Sequence, residues 1–404
     1  MEEAVRRYAR GFDDQVPQLA AAARSCPGLG QRLDAAGVGP DQLVDVAALD
    51  RLPILTKDAL LELQQADPPF AGMVAADAPV RRFFQSPGPL YEAELDIADP
   101  WRWAPALRAA GFGADDVVLN AFGYHLSPAG AMFEEAARAV GARVVPGGVG
   151  NADLQLDACI DLGVTAYIGL PSYLASLLER AEERRIDHDL GLVRAFVTAE
   201  PLPPSLRESL ARRVPVVHQG YGTAETGNLG YESDALDGLH VPDDALVQIC
   251  DLTTGEARYD GGEGQVVVTV FSTAAPVVRF GTGDLSAWAT EPSHSDLPTP
   301  RIRGWLGRVG DAIKVRGMFL HPRQIGGVMA DVDGVERYRF VVDRDGHRDV
   351  LRCEVVAGAG RDGDALADEV ARRVRDGLRF SVSVSLLDEL DDDDRVLVDR
   401  RDWG

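Results

Sequence analysis

The chain has 404 residues, of which 46% are hydrophobic and 26% charged, enough apolar material for two or three cored domains. Its net charge of −23, from 41 basic and 64 acidic residues, excludes the broad basic face of a nucleic-acid binder but not a small anionic ligand. No apolar run approaches bilayer length, and the start Met1-Glu2-Glu3-Ala4 lacks the basic and apolar regions of a secretion leader. A cytoplasmic protein without a membrane partner is therefore expected. Cys26, Cys159, Cys250 and Cys353 are far apart and form no Cys-x-x-Cys pair, a pattern that suits reduced, buried thiols.

Residues 1–80 read as largely helical. Thr56 is placed to cap a helix through Leu63. The stretch from Arg81 to Glu92 reads as a strand, a Pro/Gly loop (Ser86-Pro87-Gly88-Pro89) and a return strand. That loop is poor in N–H donors, which favours a plain hairpin over a phosphate cradle. From Asp115 the pattern becomes α/β. Strands are expected at Val117–Phe122, Ala142–Val145, Thr165–Leu170, Val193–Thr198 and Val214–Val217. Helices are expected at Met132–Val140, from Pro171 to about Arg185, and from a capping box at Ser205–Glu208. Near-continuous apolar strands alternating with helices imply a parallel sheet covered on both faces, with ligands at its carboxyl rim.

The stretch from His218 to Gly227 follows the last of these strands. Its glycines and Glu225 read either as a tight turn or as a loop that presents amides and a carboxylate to a ligand. Glu200 falls on the same rim. After residue 228 the pattern is strand-rich, with strands at Ala245–Cys250, Gln265–Val270 and Pro276–Leu285. Residues 291–300, rich in Pro, Ser and Thr, read as surface. Gly304 to Asp311 reads as a domain boundary. Beyond it lie a strand and turn at Ile313–Gly317, a helix at Pro322–Met329, a hairpin of Arg337–Val342 with Val350–Val356, a helix at Ala365–Leu378 and a strand at Ser381–Leu387. The fold class is thus α/β. A large N-terminal α/β domain with parallel sheets and a β-rich subdomain (1–306) precedes a small α+β domain (307–404).

Four stretches occur together and in order: Ala199-Glu200-Pro201; Tyr221-Gly222-Thr223-Ala224-Glu225; Val278 to Leu285; and Gly307 to Gly317. They resemble the adenylate-forming (acyl-CoA synthetase) superfamily, in its phenylacetate–coenzyme A ligase branch. Leu52–Asp58, Gly123-Tyr124, Pro171-Ser172-Tyr173, Gly238-Leu239-His240 and Pro322–Ile325 resemble the same branch, so the likeness runs from about residue 50 to 400. The resemblance implies that the small domain is a mobile lid. It implies that a carboxylic acid, aromatic or otherwise small, is joined to ATP as an acyl-adenylate and then passed to coenzyme A or a carrier protein. It implies ATP/AMP, Mg²⁺ and coenzyme A as cofactors, and a homodimer as the usual assembly.

On the matching positions, Tyr221 lies against adenine with Ala199, Glu200, Pro201 and Gly222 beside it. The resemblance further implies that Thr223 donates to the α-phosphate, Glu225 holds Mg²⁺, Asp284 accepts the ribose hydroxyls and Arg308 helps hold the ribose. It implies that Lys314 and Gly317 face the thioester step, and that Phe122, Tyr124 and His125 border the acyl pocket, with His218 and Gly220 near it. Tyr124 also reads as ordinary core, and His218 as a satisfied strand-end histidine.

Three departures are visible. The branch's Ser/Thr/Gly-rich phosphate loop carries a lysine, yet Gln85–Pro89 has neither lysine nor threonine. The terminal lysine that drives adenylation is replaced by a run of aspartates, Asp391–Asp394, which would repel a polyphosphate. The hinge acid appears as Gly310, with Asp311 kept. The cysteine-based zinc site of some relatives is absent at Glu232-Ser233, so no zinc is expected. These losses leave a second reading open: a non-ligase descendant that binds AMP, an acyl-adenylate or an acyl thioester without ATP-driven adenylation.

Overall fold

Apolar spacing along the first 66 residues produces five helices: α1 (Glu2–Arg10), α2 (Gln18–Ser25), α3 (Pro27–Ala35), α4 (Val46–Leu49) and α5 (Lys57–Ala66). In the computed structural model, which describes residues 1–402 apart from 87–88, 311–312, 317, 321, 347, 359–361 and 392–394, the inner faces of α1 to α4 join one core. Phe12, Leu19, Leu29, Leu33 and Leu49 close on Leu246 and Val278 from later strands. Thr56 caps α5 as its sequence predicts, its Oγ1 accepting from the Ala59 amide at 3.2 Å. Strands β1 (Val80–Gln85) and β2 (Tyr91–Leu95) form the expected antiparallel hairpin. Pro87 and Gly88 of its loop lie outside the described residues.

After α6 (Ala104–Ala109) comes the strand–helix alternation: β3 (Val117–Asn120), α7 (Ala129–Ala139), β4 (Arg143–Val145), α8 (Ala152–Asp161), β5 (Ala166–Gly169), α9 (Pro171–Arg184), β6 (Arg194–Val197), α10 (Pro204–Ala211) and β7 (Val216–Thr223). The strands run parallel in the order β4-β3-β5-β6-β7. Their side chains fill a core on each face, one around Phe133, Ile168 and Phe196, the other around Leu119, Tyr167, Leu174 and Val197. Beyond β7 the sheet turns antiparallel through β8 (Gly227–Tyr231) and β9 (Leu239–His240). A second, antiparallel array contains β10 (Leu246–Cys250), β11 (Ala257–Arg258), β12 (Gly264–Val270) and β13 (Val277–Ser286). Strand β14 (Arg301–Ile302) returns to pair with β9. Residues 291–300 between them form bends and irregular chain, mostly exposed or half-buried.

Two local expectations are corrected. Helix α10 starts at Pro204 with Pro203 at its N-cap, so Ser205 lies inside the first turn and there is no side-chain cap. The glycine-rich stretch after Val217 is not a loop: β7 continues to Thr223, and only residues 224–226 turn. Helix α8 went unforeseen because it buries only Gln155, Leu156 and Cys159, which leaves little apolar periodicity to read.

The chain divides into two compact units, Met1–Gly307 and Arg308–Gly404. The boundary carries the short strand β15 (Gly307–Arg308). The second unit contains β16 (Ile313–Val315), β17 (Met318–Leu320), α11 (Pro322–Met329), β18 (Val335–Asp345), β19 (Arg348–Ala357), α12 (Gly363–Leu378), β20 (Ser383–Leu387) and β21 (Leu397–Asp399). The hairpin pairs Phe340 with Cys353, and β20 and β21 flank it in parallel. Three-residue β21 carried too short a pattern to be foreseen. Asp391, at the start of the acidic run, bonds buried Arg339, which also holds Glu354 at 3.0 Å; residues 392–394 lie outside the described residues.

Candidate active site

Strand β3 lies between β4 and β5, so the chain leaves it first to one side and then to the other. That reversal opens a crevice at its carboxyl end, where Asn120 to His125 emerge. Buried Asn120 shapes this loop: its Nδ2 donates to the Gly130 carbonyl at 2.7 Å and to the Tyr124 hydroxyl at 2.9 Å. Burial pushes the Tyr124 hydroxyl up, so it stays a neutral donor. Phe122 is core: its ring is 7% exposed and stacks on Phe133 at 5.0 Å. His125 is exposed.

The next two strand ends are stitched together. After β6 the Thr198 hydroxyl donates to the Gly220 carbonyl at 2.7 Å. Ala199 then takes a positive φ of 70°, and Glu200 follows before Pro201. Glu200 Oε2 accepts from the Ser172 hydroxyl at 2.6 Å, near the first turn of α9, where a helix favours negative charge.

Gly220 and Gly222 of β7 are required by packing rather than by turn geometry. A Cβ on Gly220 would sit 2.7 Å from the Trp103 ring and 2.5 Å from that of Phe196. One on Gly222 would sit 2.2 Å from the Gly227 carbonyl oxygen and 2.6 Å from Trp103. The turn itself uses Gly227, at φ 70°. Arg102 grips it by bonding the Thr226 carbonyl, and Asn228 N donates to the Trp101 carbonyl at 2.9 Å. Within the turn the Thr223 and Thr226 hydroxyls meet at 2.9 Å.

Strand β13 delivers Asp284, 4% exposed, beside this turn's root. Its Oδ2 accepts from the Tyr221 hydroxyl at 2.8 Å and its Oδ1 from Trp305 Nε1 at 3.1 Å. Leu55 pairs with the same strand: its amide donates to the Arg279 carbonyl at 2.8 Å and its carbonyl accepts from the Gly281 amide at 2.9 Å. The start of α5 is thereby tied to the strand that carries Asp284.

That tie brings in Lys57, a residue with no assigned role in the sequence reading. Its Nζ lies 2.8 Å from Glu225 Oε1. Burial is the largest single influence and would raise the Glu225 carboxyl, but the Lys57 ammonium, the Thr223 hydroxyl and the backbone amide of Glu225 together hold it below the usual range. Glu92, also unassigned before, stands close by on β2. Burial and then the Glu225 carboxylate push its carboxyl up to about 8. Both Glu92 oxygens and Glu225 Oε2 are buried without a hydrogen-bond partner. These carboxylates form a wall of a cavity of about 710 Å³, whose other lining includes Leu55, Trp101, Arg102 and Phe280. Phe122, Tyr124, His125, His218 and Gly220 do not line it. Two carboxylates with unpartnered oxygens fit a hard cation that also takes phosphate oxygens, as magnesium does. Among the described residues no group of three or more His, Cys, Asp or Glu is poised for a metal.

His218 is 3% exposed with its Nε2 3.3 Å from Asp234, and burial lowers its pKa, so it is a neutral histidine inside β7. Its Nδ1 is buried without a partner. Glu232 is engaged by Arg207 at 2.5 Å and by the Gln219 amide at 2.8 Å. The structure thus gathers Tyr221, Thr223, Glu225 and Asp284 around the β7–β8 turn, with Glu200 on the neighbouring rim. Arg308 and Lys314 belong to the second unit. The Lys314 side chain, Asp311 and Gly317 lie outside the described residues.

Residues 101–274 match the family model described as AMP-binding enzyme. The phenylacetate–coenzyme A ligase of Aromatoleum evansii is 29% identical over 373 residues, covering 87% of this chain and 83% of that protein. The ligase of the same name from Thermus thermophilus is 29% identical over 311 residues, 70% of each chain. Among solved structures, 2-hydroxyisobutyryl-CoA ligase in complex with 2-HIB-AMP and CoA superposes with a TM-score of 0.87 at 22% identity, over 98% of this chain and 90% of that one. The chain is thus similar to AMP-binding enzymes over its middle part and to phenylacetate–coenzyme A ligases over most of its length, and it shares the fold of an acyl-CoA ligase.

Proposed function

We propose that this protein is an AMP-forming acid–thiol ligase that activates an aromatic or other small carboxylic acid and passes it to coenzyme A. The observation that carries the reading is the likeness to phenylacetate–coenzyme A ligases along 87% of the chain. A carboxylate is a weak nucleophile and oxide a poor leaving group, so direct thioester formation from the acid is slow. In the first step an acid oxygen bonds the α-phosphorus of ATP and pyrophosphate leaves with the electrons of the broken P–O bond. In the second, the coenzyme A thiolate bonds the acyl carbon and AMP leaves.

The residues take their roles from their chemistry. Asp284, acceptor-only and already aligned by Tyr221 and Trp305, holds the ribose hydroxyls. Tyr221 lies against the base, with Ala199, Glu200, Pro201 and Gly222 bordering it. Thr223 offers its hydroxyl to the α-phosphate. Glu225, with Glu92 beside it, would hold magnesium, which would neutralise charge on the phosphates. Tyr124, on the loop after β3, borders the acyl group. The resemblance assigns Arg308 to the ribose and Lys314 to the thioester step.

The non-ligase alternative is not favoured, since the relatives aligned along most of the chain are ligases by name. The deciding experiment is acid-dependent exchange of labelled pyrophosphate into ATP over a panel of aromatic and branched small acids, followed by coenzyme A consumption with the best of them. Exchange and thioester formation are expected. Binding of AMP with no exchange for any acid would return the alternative.

A further inference from the structure

We infer that Lys57 is the cationic phosphate-binding residue of this site, the ammonium that meets the nucleotide's phosphate chain beside Glu225. This rests on the nucleotide-dependent reading above and adds a residue to it.

The first observation is geometric. Lys57 Nζ already stands 2.8 Å from Glu225, at the turn where the nucleotide's phosphates are placed, and its side chain is 29% exposed, so it has room to swing. It cannot drift away as a unit. Lys57 opens helix α5, Thr56 caps that helix, and Leu55 is bonded on both backbone sides to β13, the strand that bears Asp284. The ribose acceptor and the lysine are therefore held by one strand. The opening turn of a ten-residue helix adds positive potential in the same place.

The second observation is electrostatic. The turn carries the buried carboxylate of Glu225, and the Glu92 carboxyl stands beside it on β2, with three unpartnered oxygens between them. A polyphosphate approaching such a wall is repelled unless positive charge stands in front of it. Lys57 supplies that charge where it is needed.

The third observation is compositional. Of the 41 basic residues in the chain, only Lys57 and Lys314 are lysines, and every other is arginine. Arginine serves the surface ion pairs, as in Arg6–Glu2, Arg180–Asp153 and Arg213–Glu182. A lysine in a chain otherwise supplied with arginine marks a place that needs a compact ammonium. Such a group has three rotatable donors and can hold a carboxylate and a phosphate oxygen at once, which a planar guanidinium does less readily.

The test compares ATP and adenosine binding by calorimetry in the full chain. The variants are Lys57→Gln and Lys57→Arg, with Lys57→Met as a second uncharged variant if Lys57→Gln folds poorly. Adenosine affinity is expected to stay within about twofold in all of them, because Asp284 and Tyr221 are untouched. ATP affinity relative to adenosine is expected to fall at least about tenfold in the uncharged variants, the loss of one charge-assisted bond, with partial recovery in Lys57→Arg. An unchanged ATP-to-adenosine ratio in the folded variants overturns this assignment alone. Failure of the unsubstituted protein to bind ATP or adenosine overturns the nucleotide reading and this assignment with it.

Discussion

The Tyr221 hydroxyl donates to Asp284 Oδ2 at 2.8 Å, joining the end of the parallel sheet to the antiparallel array. The bond fixes one carboxylate oxygen of Asp284 while Trp305 Nε1 fixes the other, so the acceptor is oriented before any ligand arrives. An oriented acceptor need not be reorganised on binding, which is where such a site gains affinity.

Asp284→Ala is expected to weaken AMP binding by about 2 kcal/mol or more, roughly thirtyfold, as befits loss of a charged acceptor. Tyr221→Phe keeps the ring and removes only the aligning donor, and about 1 kcal/mol is expected. Calorimetry with AMP reads both. Equal affinities for Asp284→Ala and the unsubstituted protein would remove Asp284 from the site.

Gly222→Ala places a methyl group 2.2 Å from the Gly227 carbonyl oxygen and 2.6 Å from the Trp103 ring. Backbone and indole can both yield only by moving β7 from β8, so a cost of about 1–3 kcal/mol is expected. Denaturant unfolding measures it. A midpoint unchanged from that of the parent would show that β7 has slack the packing does not suggest.

Arg279, on β13 with Asp284, is 1% exposed and bonds Asp50, 28% exposed. Its other partner is the Gly255 carbonyl at 2.6 Å. Asp50→Ala leaves a buried guanidinium without its counter-charge, and a loss of about 3 kcal/mol is expected. An Asp50→Ala/Arg279→Met double variant should recover part of that loss, since the stranded charge is gone. The check is the thermal midpoint of each protein.

The pH dependence has a definite sign. Burial holds His218 below its ordinary 6.5, against the opposing pull of Glu232 and Asp234, and burial lowers His240 likewise. An unfolded chain therefore binds protons at these histidines before the folded chain does, and stability falls as pH drops through about 6.5. Above that pH both are neutral in either state and contribute no slope. His218→Gln is expected to flatten the fall on acidification, followed as the thermal midpoint between about pH 5 and 7.5. A steeper fall in the variant would contradict the assigned neutral state.

Elements with strong local signals were legible in the chain itself. Thr56 before α5, the apolar runs of β3, β5 and β6, and the hairpin of β18 and β19 all emerge close to where their patterns put them. The glycines at 220 and 222 were not. Their reason is the Trp103 ring, more than a hundred residues earlier, and nothing in the local pattern of β7 announces it.

What the sequence by itself determined is the order of strands and helices and the family motifs, because period, caps and spacing act over a few residues. What only the tertiary structure decided is who meets whom. Lys57, Glu92 and Glu225 lie in three separate segments, and they converge because Leu55 pairs with β13 and the Trp101–Arg102 segment grips the β7–β8 turn. The charge state of such a cluster depends on shared burial and mutual field, and those exist only once the segments are packed together.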